Sequence, residues 1–137
     1  MSRREKVCFV VQRYGVEVNG GGEQECRQYA EHLISLYDVS VVTTKALEYS
    51  TWENWYTADE EIINGVKVYR FPVDKPREQS EFNEVSVRLH NSPHDLSIQQ
   101  DWIDKQGPYC PRLIKFLKEH KNDFDVFLFS RGRLLLL

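Results

Sequence analysis

KVCFVVQRYGVEVNGGGEQECRQYAEHL, residues 6–33, holds a strand, a turn and a helix in the order that decides the fold. Residues 6–12 are almost continuously apolar, the pattern of a strand buried on both faces of a parallel sheet, and are expected to form its central strand. Gly15, Asn19, Gly20, Gly21 and Gly22 then favour loop conformations, positive φ included, so the helix is expected to begin only after the glycines end. From Glu23 onward, Cys26, Tyr29, Ala30, Leu33 and Ile34 recur at helical spacing and give one apolar stripe to lay on a sheet.

Working outward, DVSVVTT at residues 38–44 is rich in β-branched residues. Its distance from the first strand suits a right-handed crossover, so the two strands are expected to run parallel. Residues 45–58 form a long polar and aromatic loop carrying Tyr49, Trp52, Trp55 and Tyr56, and loops of that length are usually functional or mobile. Asn64-Gly65, between residues 61–63 and 66–71, is a hairpin signal because both residues tolerate positive φ, and its second arm can join the sheet. Residues 80–106 show helical spacing on both sides of Pro93, which must separate two helices. Leu113, Ile114, Phe116 and Leu117 mark a further amphipathic helix whose charged side is a solvated face. DVFLF at residues 125–129 has the continuity of an interior strand, yet no outer neighbour for it follows. The expected fold is therefore α/β: one partial Rossmann-like domain over residues 1–137, with a parallel sheet, a small hairpin excursion and helices on both faces. Residues 130–137, SRGRLLLL, are read as an atypical tail.

The 137 residues suffice for one domain, and 41% apolar with 28% charged residues is the make-up of a folded globular chain. A net charge of −3 argues against nucleic acid, whose binding requires Lys and Arg gathered on one face. Arg3, Arg4 and Lys6 before residues 7–11 mimic a signal peptide, but Gln12 and Arg13 end the apolar run too early. No run reaches the roughly 18–20 apolar residues of a membrane span, so any membrane contact is expected to be peripheral. Cys8, Cys26 and Cys110 are odd in number and have neither disulfide nor zinc spacing, which points to the cytoplasm and to no metal or cofactor.

In an open parallel sheet, ligands bind beyond the carboxyl ends of the strands, where NGGGE at residues 19–23 is expected. Glycines let a ligand approach the backbone, and the first free N–H groups of the next helix favour phosphate or carboxylate. Asn19, Gly20, Gly21, Gly22 and Glu23 are thus the candidate anion-binding residues; turning the chain into the helix would explain the same glycines. The dinucleotide fingerprint fails, since Thr43 and Thr44 stand where an acidic residue belongs, and no nucleotide P-loop is present. His32, His90, His94 and His120 are scattered without a paired nucleophile, and Asp59, Glu60 and Glu61 run consecutively into a hairpin and so diverge. No catalytic residue is assigned. Trp52 and Trp55 are candidate sugar-stacking side chains, with burial of the loop on the sheet as the competing reading.

Taken together, residues 6–33, then YDVSVVTT, TWENWY and INGVKVYRFPV, resemble the amino-terminal domain of retaining GT-B-fold glycosyltransferases of the family-four group, over roughly residues 6–129. The resemblance implies an enzyme of two Rossmann-like domains. Its carboxyl-terminal half grips a nucleotide-sugar donor, and its amino-terminal half mainly takes the acceptor, a glycan or a lipid-linked molecule. It also implies that the backbone at Gly21 and Gly22 faces the donor's diphosphate or the transferred sugar, where leaving-group charge is stabilised. After residue 129 the chain departs from the family, as a truncation or a shifted reading frame would, so transfer by this chain alone is not expected. Two other readings stand beside it. One is an interaction module that homodimerises through its exposed last strand; the other is a small phosphate-binding Rossmann-like protein.

Overall fold

The computed structural model of the chain describes residues 3–130, so of the expected tail only Ser130 is included and residues 131–137 lie outside the described residues. In chain order the elements are β1 (Lys6–Val10), α1 (Gly21–Leu33), β2 (Asp38–Thr44), β3 (Glu60–Ile63), β4 (Val66–Phe71), α2 (Gln79–Asn91), α3 (Leu96–Gln106), α4 (Pro111–Glu119) and β5 (Val126–Phe129). The five strands make one mixed sheet in the order β3-β4-β2-β1-β5, parallel throughout except for β3. This is an α/β fold of Rossmann-like shape.

Alternation of side chains along the strands builds two cores. Val7, Phe9, Val39, Val41, Val66 and Val68 point to one face, where Cys26 and Ala30 of α1 cover them. Cys8, Val10 and Val42 point to the other, where Leu113 and Phe116 of α4 close over them together with Tyr69 and Phe71. All three cysteines are free and buried. Burial pushes the thiol of Cys8 up to about 12 and those of Cys26 and Cys110 up to about 11, so none is a ready nucleophile.

Two expectations need correction. The middle strand is β2, not β1, because the hairpin delivers β4 to the outer side of β2 while only β5 lies beyond β1. Helix α1 begins at Gly21 instead of after Gly22, since only its N-cap, Gly20 with φ 147°, needs a glycine's freedom, and the first-turn positions take ordinary helical angles. Among the described residues β5, with the composition of an interior strand, lies at the sheet edge beside β1, and Val126, Leu128 and Phe129 are exposed.

The remaining elements follow their local signals. Asn64 (φ 50°) and Gly65 (φ 85°) form the two-residue turn between β3 and β4. Helices α2 and α3 pack on each other on either side of Pro93; Phe82 meets Trp102 at 5.6 Å, and Asp95 caps α3 by accepting from the amides of Ser97 and Ile98. Among the described residues no helix is long and apolar enough to cross a membrane.

Leu113 is 1% exposed where α4 meets the sheet. Leu113→Ala is therefore expected to cost about 2–5 kcal/mol in urea denaturation. Leu36→Ala, at an exposed position just after α1, should stay within about 0.5 kcal/mol of the parent; equal effects would contradict this assignment of the core.

Candidate functional site

The loop from β1 to α1 lies at the carboxyl edge of the sheet, and the helix that follows aims its amino end at that edge. Gln24 makes the first helical bond, donating to the Gly20 carbonyl at 3.0 Å, so the amides of Gly21, Gly22 and Glu23 precede the helical ladder. No side chain caps this end, and Asn19, Gly20 and Gly21 are exposed. A Cβ built on Gly21 meets nothing within 4 Å, so the space above its backbone is open. A Cβ on Gly20 would strike the Glu23 carboxylate and come within 2.9 Å of Arg13 Nη2, at a φ that side chains rarely adopt.

Arg13 holds the loop from below. It is buried; its Nη2 donates to Glu23 Oε1 at 3.0 Å and its Nη1 to the Leu47 carbonyl at 3.0 Å, while Tyr49 lies 5.4 Å over its guanidinium. Glu23 is thus a partner of Arg13 as well as a first-turn carboxylate favoured by the helix dipole. A cation placed directly after a buried strand is the sequence signal that marks Arg13.

A second clasp joins the loop of residues 45–58 to the same turn. The Tyr56 ring lies 3.5 Å from the Arg70 guanidinium, and its hydroxyl donates to Glu17 at 2.8 Å. Burial, then that hydrogen bond, pushes the Tyr56 phenol up, and the same bond holds the Glu17 carboxyl below its ordinary value. Arg70 is fully buried and donates from Nε to Glu61 at 3.1 Å and from Nη1 to the Thr44 carbonyl at 3.3 Å. Among the described residues four buried side-chain polar atoms find no protein partner: Arg13 Nε, Tyr14 Oη, Thr43 Oγ1 and Arg70 Nη2. All come from residues at or just past the carboxyl ends of β1, β2 and β4, so unmet hydrogen-bonding capacity gathers beneath this rim.

The two tryptophans part company. Trp52 is 3% exposed, packs with Ala46 and Val73, and donates its indole N–H to the Gln106 carbonyl at 2.7 Å, so its ring is committed to the interior and offers no stacking face. Trp55 is 54% exposed. It packs edge-on against Tyr56 at 4.8 Å, and its amide donates to the Lys45 carbonyl at 2.8 Å. The consecutive carboxylates also separate: Asp59 pairs with Lys45, Glu61 with Arg70, and Glu60 lines a different cleft. Among the described residues no group of His, Cys, Asp and Glu is arranged to hold a metal ion.

A cleft of about 250 Å³ opens between α1 and β5 at the carboxyl end, with Gly22, Cys26, Tyr29, Leu128 and Phe129 in its walls. A roomier one of about 650 Å³ lies at the amino ends of the strands, lined by Lys6, Asp38, Lys67 and His120 among others. The smaller cleft is the better candidate, because the order β2-β1-β5 reverses direction there and a free helix amino end borders it. Compared with protein-family models, curated proteins and solved structures, the chain matches none of them.

Gly15 tests the clasp. Its φ is 156°, and a Cβ there would strike the Tyr56 hydroxyl. Gly15→Ala should cost about 1–3 kcal/mol in chemical denaturation; a neutral outcome would mean that Tyr56 does not hold this turn.

Proposed function

We propose that this chain is the acceptor-side, amino-terminal portion of a glycosyltransferase that moves a sugar from a nucleotide-sugar donor to an acceptor. The observation that carries the reading is the uncapped, glycine-lined amino end of α1 at the switch point of a parallel sheet. In this reading the amides of Gly21 and Gly22 face the donor's diphosphate, with Asn19 and Glu23 at the margins, and stabilise charge on the leaving group. The chain supplies no assigned catalytic side chain, so turnover requires a donor-binding domain. Three buried, unpaired cysteines suit work in the cytoplasm, where nucleotide sugars are used.

Titration of the ¹⁵N-labelled chain with UDP-glucose and GDP-mannose should shift the amides of Gly20, Gly21 and Gly22. Gly21→Ala should leave the fold intact, since its Cβ meets open space, and abolish those shifts. Shifts absent from these glycines would defeat the proposal. Inorganic phosphate acting as strongly as the nucleotide sugar would favour a simple phosphate-binding protein.

A second reading rests on β5, an edge strand with three exposed apolar side chains. Two copies related by a twofold axis would join these edges antiparallel. Light scattering would then give a dimer mass that Leu128→Lys reduces to the monomer; a parent chain that is monomeric removes this reading.

A further inference from the structure

We infer that the rim carrying Trp55 and Tyr49 is a subsite for an uncharged sugar ring, so that the acceptor is a neutral glycan and not a phosphorylated or lipid-phosphate molecule. The inference rests on the glycosyltransferase reading and names the substrate class of its acceptor side.

The first argument is preorganisation. Trp55 is exposed yet fixed. The amides of Trp55 and Tyr56 both donate to the Lys45 carbonyl, Asn54 exchanges two hydrogen bonds with the Val73 backbone, and Trp52 anchors the middle of the loop in the core. Tyr56, against which Trp55 rests, is itself clamped between Arg70 and Glu17. Tyr49 is likewise exposed and borders Arg13, at the other end of the same 13–17 turn. An aromatic face held in place while open to solvent costs little to order when a flat apolar ring face settles on it.

The second argument is charge. Residues 13–23 and 45–59 carry five carboxylates, Glu17, Glu23, Glu48, Glu53 and Asp59, against two cations, Arg13 and Lys45. Both cations are spent, Arg13 on Glu23 and Lys45 on Asp59. Arg70 is buried beneath Tyr56 and paired with Glu61, and Arg77, whose charge also reaches Tyr49, donates to the Gln106 carbonyl and rests against Trp52 and Phe82. An anionic ligand on the Trp55 side of this rim would meet the uncompensated charge of Glu17, Glu48 and Glu53, apart from the amides of Gly21 and Gly22 to which the proposed function assigns the diphosphate. Hydroxyl groups instead find carboxylate acceptors in Glu17, Glu48 and Glu53, all exposed.

The test follows Trp55 by ¹H–¹⁵N indole resonance in the full chain during titration with uncharged disaccharides of glucose, galactose, mannose and N-acetylglucosamine. In parallel runs glucose 6-phosphate and vesicles containing phosphatidylglycerol are added. At least one neutral disaccharide should shift the Trp55 indole while leaving that of Trp52 in place. Trp55→Ala should weaken this binding about tenfold, the scale of one aromatic contact, and Trp55→Tyr should largely restore it. No response to any disaccharide, tighter binding of the phosphorylated sugar or vesicles, or unchanged affinity in Trp55→Ala would overturn the inference. Nucleotide-sugar shifts at Gly20–22 are scored separately: their persistence without glycan binding rejects only the neutral acceptor, while glycan binding without them rejects the transferase and leaves a sugar-binding module.

Discussion

The structure depends on one constraint, the parallel pairing of β1 with a neighbour on each side. Parallel neighbours cannot be joined by a short turn, so the chain must cross a face of the sheet before it re-enters. Helix α1 makes that crossing over Val7, Phe9 and Val39, and α4 covers Cys8 and Val10 behind. Once both faces are closed, the only way from β1 to α1 is over the carboxyl rim. The exposed amides of the helix amino end are thus a consequence of the topology, and the glycine at Gly20 lets the chain make the corner.

The rim is costly to build. Two arginines, Arg13 and Arg70, are buried there, and burying a charge is tolerable only when it is paired and hydrogen-bonded. Arg13 meets this through Glu23 and the Leu47 carbonyl, and Arg70 through Glu61, the Thr44 carbonyl and the face of Tyr56. Both cations therefore tie the turn after β1 to the loop of residues 45–58, and that loop is not a free flap. The buried side-chain polar atoms left without protein partners lie at the same place.

That loop also reaches the other way. Through Trp52 and the backbone of Thr51 it contacts Gln106 and Arg77 at the base of the α2–α3 hairpin. The glycine turn, the aromatic rim and the helical hairpin are thereby connected through residues 45–58, while among the described residues β5 forms one edge of the sheet. The proposed roles divide along the same lines: backbone amides for the donor's diphosphate, aromatic faces for an acceptor.

Local chemistry determined much of this protein from the sequence alone. The apolar run of residues 6–12, the stripe on α1, the β-branched residues 38–44, Asn64-Gly65 and Pro93 each specify an element, and together they led to an α/β sheet with NGGGE at its edge. Side-chain partners are a different matter, because they are set by residues far apart in the chain. Nothing local told Trp52, bound to Gln106, from Trp55, open to water, or revealed that Arg13 would lie under Gly20 and Tyr56 on Arg70. The middle place of β2 also waited on the tertiary structure, since strand composition reports burial of a face while strand order follows from how the crossovers pack.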